Sequence, residues 1–215
     1  VLFGVGIHAH AQPAVDKFPS KTVKMIVSLT PGSGADIAGR LVAKSLSELW
    51  KQPVIIENRP GAGGLVGTGV VVNAVPDGYT LLVQSASYAA NPAIYKKLPY
   101  DLKSLTDLNI LGTTPYLLIV GADSPYKTIK DLVAAAKAKP GDLPYASAGI
   151  GSSTHLAAEY FNQAMGIKML HVPYKGSPEA ITETIAGRTA FYMAHLKQPW
   201  RKSVAAEHVH WVSPA

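Results

Sequence analysis

Three times in this chain an apolar run ends in a turn rich in Gly, Ser or Thr. Residues 23–29 lead to Pro31-Gly32-Ser33-Gly34-Ala35-Asp36, and residues 53–57 to Asn58-Arg59-Pro60-Gly61-Ala62-Gly63-Gly64. Residues 145–148 lead to Gly149-Ile150-Gly151-Ser152-Ser153-Thr154-His155. Each turn opens a helical pattern. Such a turn leaves backbone N–H groups free, and the helix start adds positive partial charge. The chemistry on offer is the holding of an anion. Ser, Thr and backbone donors hold a carboxylate without a formal cation, each bond worth roughly 1.5–3 kcal/mol. Four or five of them support micromolar binding, about −8 kcal/mol, after ordering costs. One such turn alone would read as a tight βα corner. Three at strand C-terminal ends, where α/β ligand sites lie, favour binding.

Transforming chemistry has less support. With no cysteine, there is no thiol nucleophile, disulfide or zinc-thiolate site. Gly39 comes too late to complete G-x-G-x-x-G after Gly32 and Gly34, no Gly-Lys-Ser/Thr follows any loop, and no G-x-S-x-G elbow exists. No cofactor is therefore expected. Ser152 and His155, three apart at a helix start, read as a capping and packing pair and not as nucleophile and base. The seven His show no H-x-x-x-H spacing, so no metal is expected. The net charge of +6 is not interleaved with aromatics in a nucleic-acid pattern, and it suits a small acidic ligand.

These residues are positioned by alternating strands and helices. The spacing predicts strands at 23–29, 54–57, 80–84, 108–111, 117–120, 145–147, 170–172 and 189–194. Helices are expected at 36–50, with Ile37, Leu41, Leu46 and Leu49 on the buried face, and at 67–73, 92–95, 129–138, 154–165 and 178–185. In the helix over 154–165, Leu156, Tyr160 and Phe161 are the expected core contacts. The strand at 170–172 is expected to be buried. The alternation implies a largely parallel sheet, and the connector near Leu102 divides the chain into two lobes. At the front, residues 1–7 are apolar and end at Ala9-His10-Ala11, the small-x-small pattern of a signal-peptidase site. Residues 1–11 are read as a signal remnant with cleavage after Ala11, which implies export.

Further motifs join the three turns. They are Pro76-Asp77-Gly78-Tyr79-Thr80-Leu81-Leu82, Asn91-Pro92-Ala93-Ile94-Tyr95-Lys96-Lys97-Leu98-Pro99-Tyr100-Asp101 and His171-Val172-Pro173-Tyr174-Lys175-Gly176. With Tyr145-Ala146-Ser147-Ala148-Gly149 and the His155-Leu156 pair, they stand in one order from Phe18 to about Ala194. In this the chain resembles the solute-binding receptors of tripartite tricarboxylate transporters, the Bug-type periplasmic proteins.

The resemblance implies an α/β, type II periplasmic-binding fold: two doubly wound lobes closing on a small organic carboxylate of di- or tricarboxylate type. It implies a periplasmic, monomeric receptor, not an enzyme, that serves membrane permease subunits. Lobe one would be residues 12–103 and lobe two 104–195. Carried over by position, lobe one offers Ser28, Pro31, Gly32, Ser33, Gly34, Asp36, Ser85 and Ser87. Lobe two offers Ser147, Gly149, Gly151, Ser152, Ser153, Thr154 and His155, with Tyr174, Lys175 and Gly176. Met193-Ala194 falls where some members place an acidic residue that reads an amino group, which argues against an amino-acid ligand. Ser33 and Ala35 depart from the commoner Gly and Thr, so a hydroxyl contact at position 35 is lost.

After Ala194 the family pattern is no longer followed. Residues 196–215 read as an aberrant tail without strand or helix periodicity, and the return of the chain to lobe one is expected to be missing. Shifting the reading frame by two bases through residues 202–214 allows Val-Arg-Ser-Gly-Arg-Ala-Arg-Ala-Leu-Gly-Val-Thr, which resembles the family's continuation. His210-Trp211-Val212 forces Leu-Gly in that frame whatever codons are used. A frameshift with a mobile tail, low solubility and a cleft unable to close properly is the resulting expectation. Two alternatives stand beside the receptor reading: an α/β enzyme acting on a carboxylate, and a truncated product that binds nothing.

Overall fold

The computed structural model describes residues 18–195 and 209–211. The signal remnant and its cleavage motif lie outside the described residues. Strands β1 (Val23–Val27), β2 (Val54–Asn58) and β3 (Thr80–Val83) form a parallel sheet in the order β2-β1-β3. Strands β4 (Tyr116–Gly121), β5 (Pro144–Ser147), β6 (Leu170–Pro173), β7 (Tyr192–His195) and β8 (Val209–Trp211) form a second sheet in the order β6-β5-β7-β4-β8. There β5 runs parallel to β6 and β7, while β4 is antiparallel to β7 and β8. The mostly parallel expectation thus holds for the first sheet and fails at β4. Because β4 and β5 are not neighbours, the segment joining them is not a crossover that forces them parallel.

Helices α1 (Gly34–Trp50), α2 (Leu65–Val72), α3 (Ser87–Ile94), α4 (Ile129–Ala138), α5 (Ser153–Met165) and α6 (Ser177–Ile185) complete the fold. In the order β2-β1-β3 the chain steps one way from β1 to β2 and the other way from β2 to β3. Right-handed crossovers therefore put α1 and α2 on opposite faces. The order β6-β5-β7 does the same for α5 and α6. The second sheet accordingly has two cores. Val120, Tyr145, Phe191 and Met193 pack under α4 and α5, whereas Ile119, Ala146, Tyr192 and Ala194 pack with Ala180 of α6. Both lobes are doubly wound, and in each a topological switch point lies beside the central strand, at the C-terminal ends of β1 and β5.

Several local expectations differ from the structure. In α1, Leu41 and Leu49 are exposed, and the buried face is Asp36, Gly39 and Ala43, with Leu46 and Trp50 against the core. The helix lies too close to the sheet for larger residues: a Cβ on Gly39 would already sit 3.4–3.6 Å from Val27, Ile56 and Val83. In α5, Phe161 packs on the core, but Tyr160 is 75% exposed and Leu156 lines an open apolar groove with Leu118, Ile129 and Met193. Strand β6 is an edge strand, so Leu170 is half exposed and not buried. Residues 105–115 form no strand, and Leu108, Ile110 and Leu111 are exposed, because no neighbouring strand among the described residues pairs with them. In the segment read as lacking strand periodicity, Val209–Trp211 does form an edge strand, with Ile119 opposite Trp211 and Gly121 opposite Val209. The remaining tail expectations fall outside the described residues.

Candidate functional site

The turn after β1 is built around Asp36. Its carboxylate accepts from the Gly32 amide at 2.9 Å, from Asn58 Nδ2 at 2.8 Å and from Arg40 Nε at 3.0 Å. Burial pushes this carboxyl upward, but the bonds from Arg40, Gly32 and Asn58 outweigh it and hold it below the usual carboxylate range. Ser33 caps α1, its Oγ accepting from the Asp36 amide at 3.3 Å. The first intrahelical bond is from the Ile37 amide to the Ser33 carbonyl. That leaves the Gly34 and Ala35 amides as the orphan donors of the helix start.

The turn after β5 repeats the plan. Ser152 caps α5 by accepting from the His155 amide at 3.2 Å, and the Leu156 amide bonds the Ser152 carbonyl. The orphan donors are here the Ser153 and Thr154 amides. The Thr154 hydroxyl accepts from the Ala148 amide at 2.9 Å, and the Ser147 Oγ accepts from the Gly149 amide at 3.1 Å. Side-chain hydroxyls thus fix the loop and leave helix-start amides free.

Both turns border a seam between the lobes. A Cβ on Gly63 would lie 2.8 Å from the Ile150 carbonyl oxygen, and Gly63 has φ +62°, so glycine is required there twice over. The Tyr95 hydroxyl reaches the Ala62 carbonyl at 3.3 Å and the Ile150 carbonyl at 3.5 Å, bridging the lobes. Gly32 faces Pro178, Gly34 faces the His195 ring, and Gly176 lies against Thr30. His195 in turn stacks on Tyr116, with ring centroids 4.6 Å apart, and Tyr116 lies alongside Ser153. Gly34, His195, Tyr116 and Ser153 therefore form a continuous path from the start of α1 to the start of α5. Buried side-chain atoms without a hydrogen bond collect along the same seam: Thr30 Oγ1, both amide atoms of Asn91 and His195 Nδ1. Burial lowers His195 from its ordinary value and raises Tyr192 to about 12, so both face the seam uncharged at neutral pH.

Among the described residues no group of three His, Cys, Asp or Glu is placed to hold a metal ion. No helix there is long and apolar enough to cross a membrane. The family model described as tripartite tricarboxylate transporter family receptor matches residues 38–208. The chain belongs to this family. The match runs past Ala194, where the sequence motifs ended.

Among curated relatives, a UPF0065 protein from the tcbD-tcbE intergenic region of a Pseudomonas species is 36% identical over 91% of this chain and 58% of its own length. A receptor from R. palustris, solved with adipate, superposes with TM-score 0.81 at 30% identity over 91% of this chain and 66% of that one. MatC from Rhodopseudomonas palustris, solved with bound malate, gives TM-score 0.77 at 28% identity over 83% of this chain and 61% of that one. The chain spans about half the length of the curated relatives it matches. The family is described as a receptor family, and a further structural neighbour, at TM-score 0.76 and 27% identity over 91% of this chain and 66% of that one, is the periplasmic binding protein BugD.

The fold distributes the residues suggested by the receptor resemblance in five ways. Pro31, Gly32, Ser33, Gly34, Gly151, Ser152, Ser153, Thr154 and Gly176 stand at the two helix starts and the seam. Asp36, Gly149, His155 and Tyr174 brace those turns from behind: His155 Nδ1 accepts from the Gly151 amide at 3.3 Å, and the Tyr174 amide extends the β5–β6 ladder by bonding the Ser147 carbonyl. Lys175 donates its amide to Glu179, and its side chain is exposed. Ser28 and Ser147 have hydroxyls turned into their own lobes, toward the Val83 carbonyl and His171. Ser85 and Ser87 share a 2.7 Å bond, and Ser87 donates to the Gly63 carbonyl, which fixes the Gly-rich turn and not the switch-point loops. Residue-by-residue reading missed Thr30, Gly63, Asn91, Tyr95, Tyr116, Tyr192 and His195. Gly63 and Tyr95 stood inside recognised motifs and were findable. Tyr116 and His195 are joined only by the β4–β7 register, which no local pattern encodes.

Proposed function

We propose that this chain is the carboxylate-capturing part of a periplasmic receptor, gripping a di- or tricarboxylate between two lobes, residues 12–103 and 104–195, for delivery to membrane permease subunits. The observation that carries the reading is that two capped helix starts, one from each lobe, both border the seam and are linked across it through His195 and Tyr116. Each leaves two amide donors unspent, and no formal cation is committed to the site. A dicarboxylate has a charged group at each end, and one capped helix start serves each end. The adipate and malate bound by structural neighbours have this form. The ligand contacts fall to Gly34, Ala35, Ser153 and Thr154, with Thr30, Asn91 and His195 as the seam's unpaired side chains.

Titration calorimetry with malate, adipate and a tricarboxylate tests this. Micromolar binding of at least one is expected. Absence of heat, and of any rise in melting temperature, with all three at millimolar concentration refutes it. One contact favours enzyme chemistry, the 2.6 Å approach of Ser147 Oγ to His171 Nε2. Ser147 is fully buried and its oxygen also accepts from the Gly149 amide, so the hydroxyl is committed to the loop and is not presented to a substrate. The pair braces the loop.

A further inference from the structure

The same pair has a second consequence, which rests on the receptor reading above. Behind the loop of residues 148–154, the rings of His155 and His171 are stacked at 4.0 Å and 17°. Each ring turns an acceptor toward the loop. His155 Nδ1 accepts from the Gly151 amide, so its proton is on Nε2. Ser147 Oγ already accepts from the Gly149 amide, which leaves it one proton to give. That proton has two acceptors in reach: His171 Nε2 at 2.6 Å and the Gly149 carbonyl at 3.3 Å. The shorter contact places it on His171 Nε2, and His171 then carries its own proton on Nδ1. Both loop glycines have positive φ, +114° at Gly149 and +76° at Gly151. Their backbones thus sit in a region that short-range sterics do not single out, and the two amide bonds select the conformer.

We propose that His171, acting through Ser147 and with its stacked partner His155, is a positioning residue that holds the Gly149 and Gly151 backbone so that the α5 amides point into the seam. The groups facing the two rings are Glu159, from α5, and Tyr145, whose hydroxyl donates to Glu159 and whose ring stacks on His171 at 5.0 Å. Burial lowers both imidazoles; at His171 the neighbouring His155 opposes charge further and it falls to about 4, while Glu159 pulls both the opposite way more weakly. Both rings are therefore neutral, and accepting, at neutral pH. Protonating His155 at Nδ1 sets a donor against the Gly151 amide and releases that half of the loop. Ligand grip is then constant above the ordinary histidine range and declines below it, as the imidazoles charge.

Amide NMR of the ligand-free chain and calorimetry with malate and adipate test this together. His171→Leu keeps bulk and removes the acceptor; His171→Gln keeps an acceptor near the Nε2 position and does not titrate. The leucine variant is expected to move the Gly149 and Gly151 amide signals and to weaken binding at least about tenfold, and the glutamine variant to stay within about threefold of the parent. In the parent the Gly151 signal moves as the pH falls below the ordinary histidine value of about 6.5, and in His155→Asn, whose Oδ1 replaces Nδ1, it does not. Unmoved glycine signals in His171→Leu, a glutamine variant as weak as leucine, or a pH-dependent Gly151 signal in His155→Asn each overturn the proposal. If the leucine variant does not fold, the His155→Asn titration decides alone. If the parent binds neither dicarboxylate, the receptor reading fails, while the amide signals still decide the role of His171.

Discussion

Gly176→Ala isolates lobe contact from lobe stability. Gly176 has φ −175°, extended backbone that alanine adopts without strain, so the substitution should leave lobe two intact. Its cost comes from across the seam: the new Cβ would lie 1.9 Å from Thr30 Oγ1, 2.7 Å from Thr30 Cγ2 and 2.8 Å from Thr30 Cβ. Rotating the threonine moves Oγ1 and Cγ2 but leaves its Cβ closer than the 3.0 Å below which real Cβ contacts essentially never fall. The lobes must therefore part locally by a few tenths of an ångström or more. Overpacking of this kind costs about 1–3 kcal/mol. If closure accompanies binding, that penalty falls on the complex and raises Kd by roughly five- to 150-fold. Calorimetry on malate and adipate measures it, with a thermal melt as control. Thr30→Gly removes every clashing atom, so the double variant Gly176→Ala/Thr30→Gly should recover much of the affinity lost. A Gly176→Ala protein that binds like the parent would show that the seam does not tighten on ligand. An equal loss in the melt and in binding, unrescued by Thr30→Gly, would show that the effect lies within lobe two.

Other perturbations separate the parts of the site. Ser152→Ala removes the α5 cap and should cost about 1 kcal/mol of stability, read in a urea melt, and weaken binding by roughly 1–3 kcal/mol if the α5 start holds a carboxylate. Gly151→Val should be worse, since Gly151 has φ +76° and a Cβ there would meet the Tyr95 hydroxyl at 3.3 Å. Asp36→Ala leaves the Asn58 and Arg40 donors without their shared acceptor and should destabilise by about 3 kcal/mol, with full-length melts as the check. Acid should act in two windows. The unfolded chain protonates His171 near 6.5 and the folded one near 4, so stability present at pH 7 is lost as pH falls from about 6.5 to 4, by up to about 3 kcal/mol. Asp36, held below its ordinary value, contributes above about 4 and is lost only as pH falls further. His171→Gln should flatten the first window and spare the second.

How much of the fold was legible depended on how local its causes are. Helix α4 was read to the residue because its limits are written in adjacent positions: Thr128 and Asp131 form a reciprocal capping box, and Pro140-Gly141 bars continuation. The two switch-point turns were legible for the same reason, as Ser33 and Ser152 each cap the helix that follows. The buried face of α1 was misread because apolar spacing selects Leu41 and Leu49, whereas the close approach of helix to sheet selects Gly39 and Ala43. That distance is a tertiary quantity. The antiparallel entry of β4 and the failure of residues 105–115 to form a strand depend on which neighbours are available, which no window of sequence reports.

The candidate site divides along the same line. Serines and glycines in the turns announce donors, but their sequence does not say which donors are spent. Ser28 and Ser147 have the right chemistry, yet their hydroxyls turn inward, while the working groups at the helix starts are backbone amides that belong to no residue type. The Gly-rich turn at residues 61–64 was taken for a third anion cradle. In the folded chain Gly63 is small so that the Ile150 carbonyl of the other lobe can approach, and Ser87 ties its carbonyl in place. A glycine that admits a ligand and a glycine that admits a neighbouring backbone leave the same trace in sequence. Only the partner differs, and at Gly63 the partner is the Ile150 carbonyl of the opposite lobe.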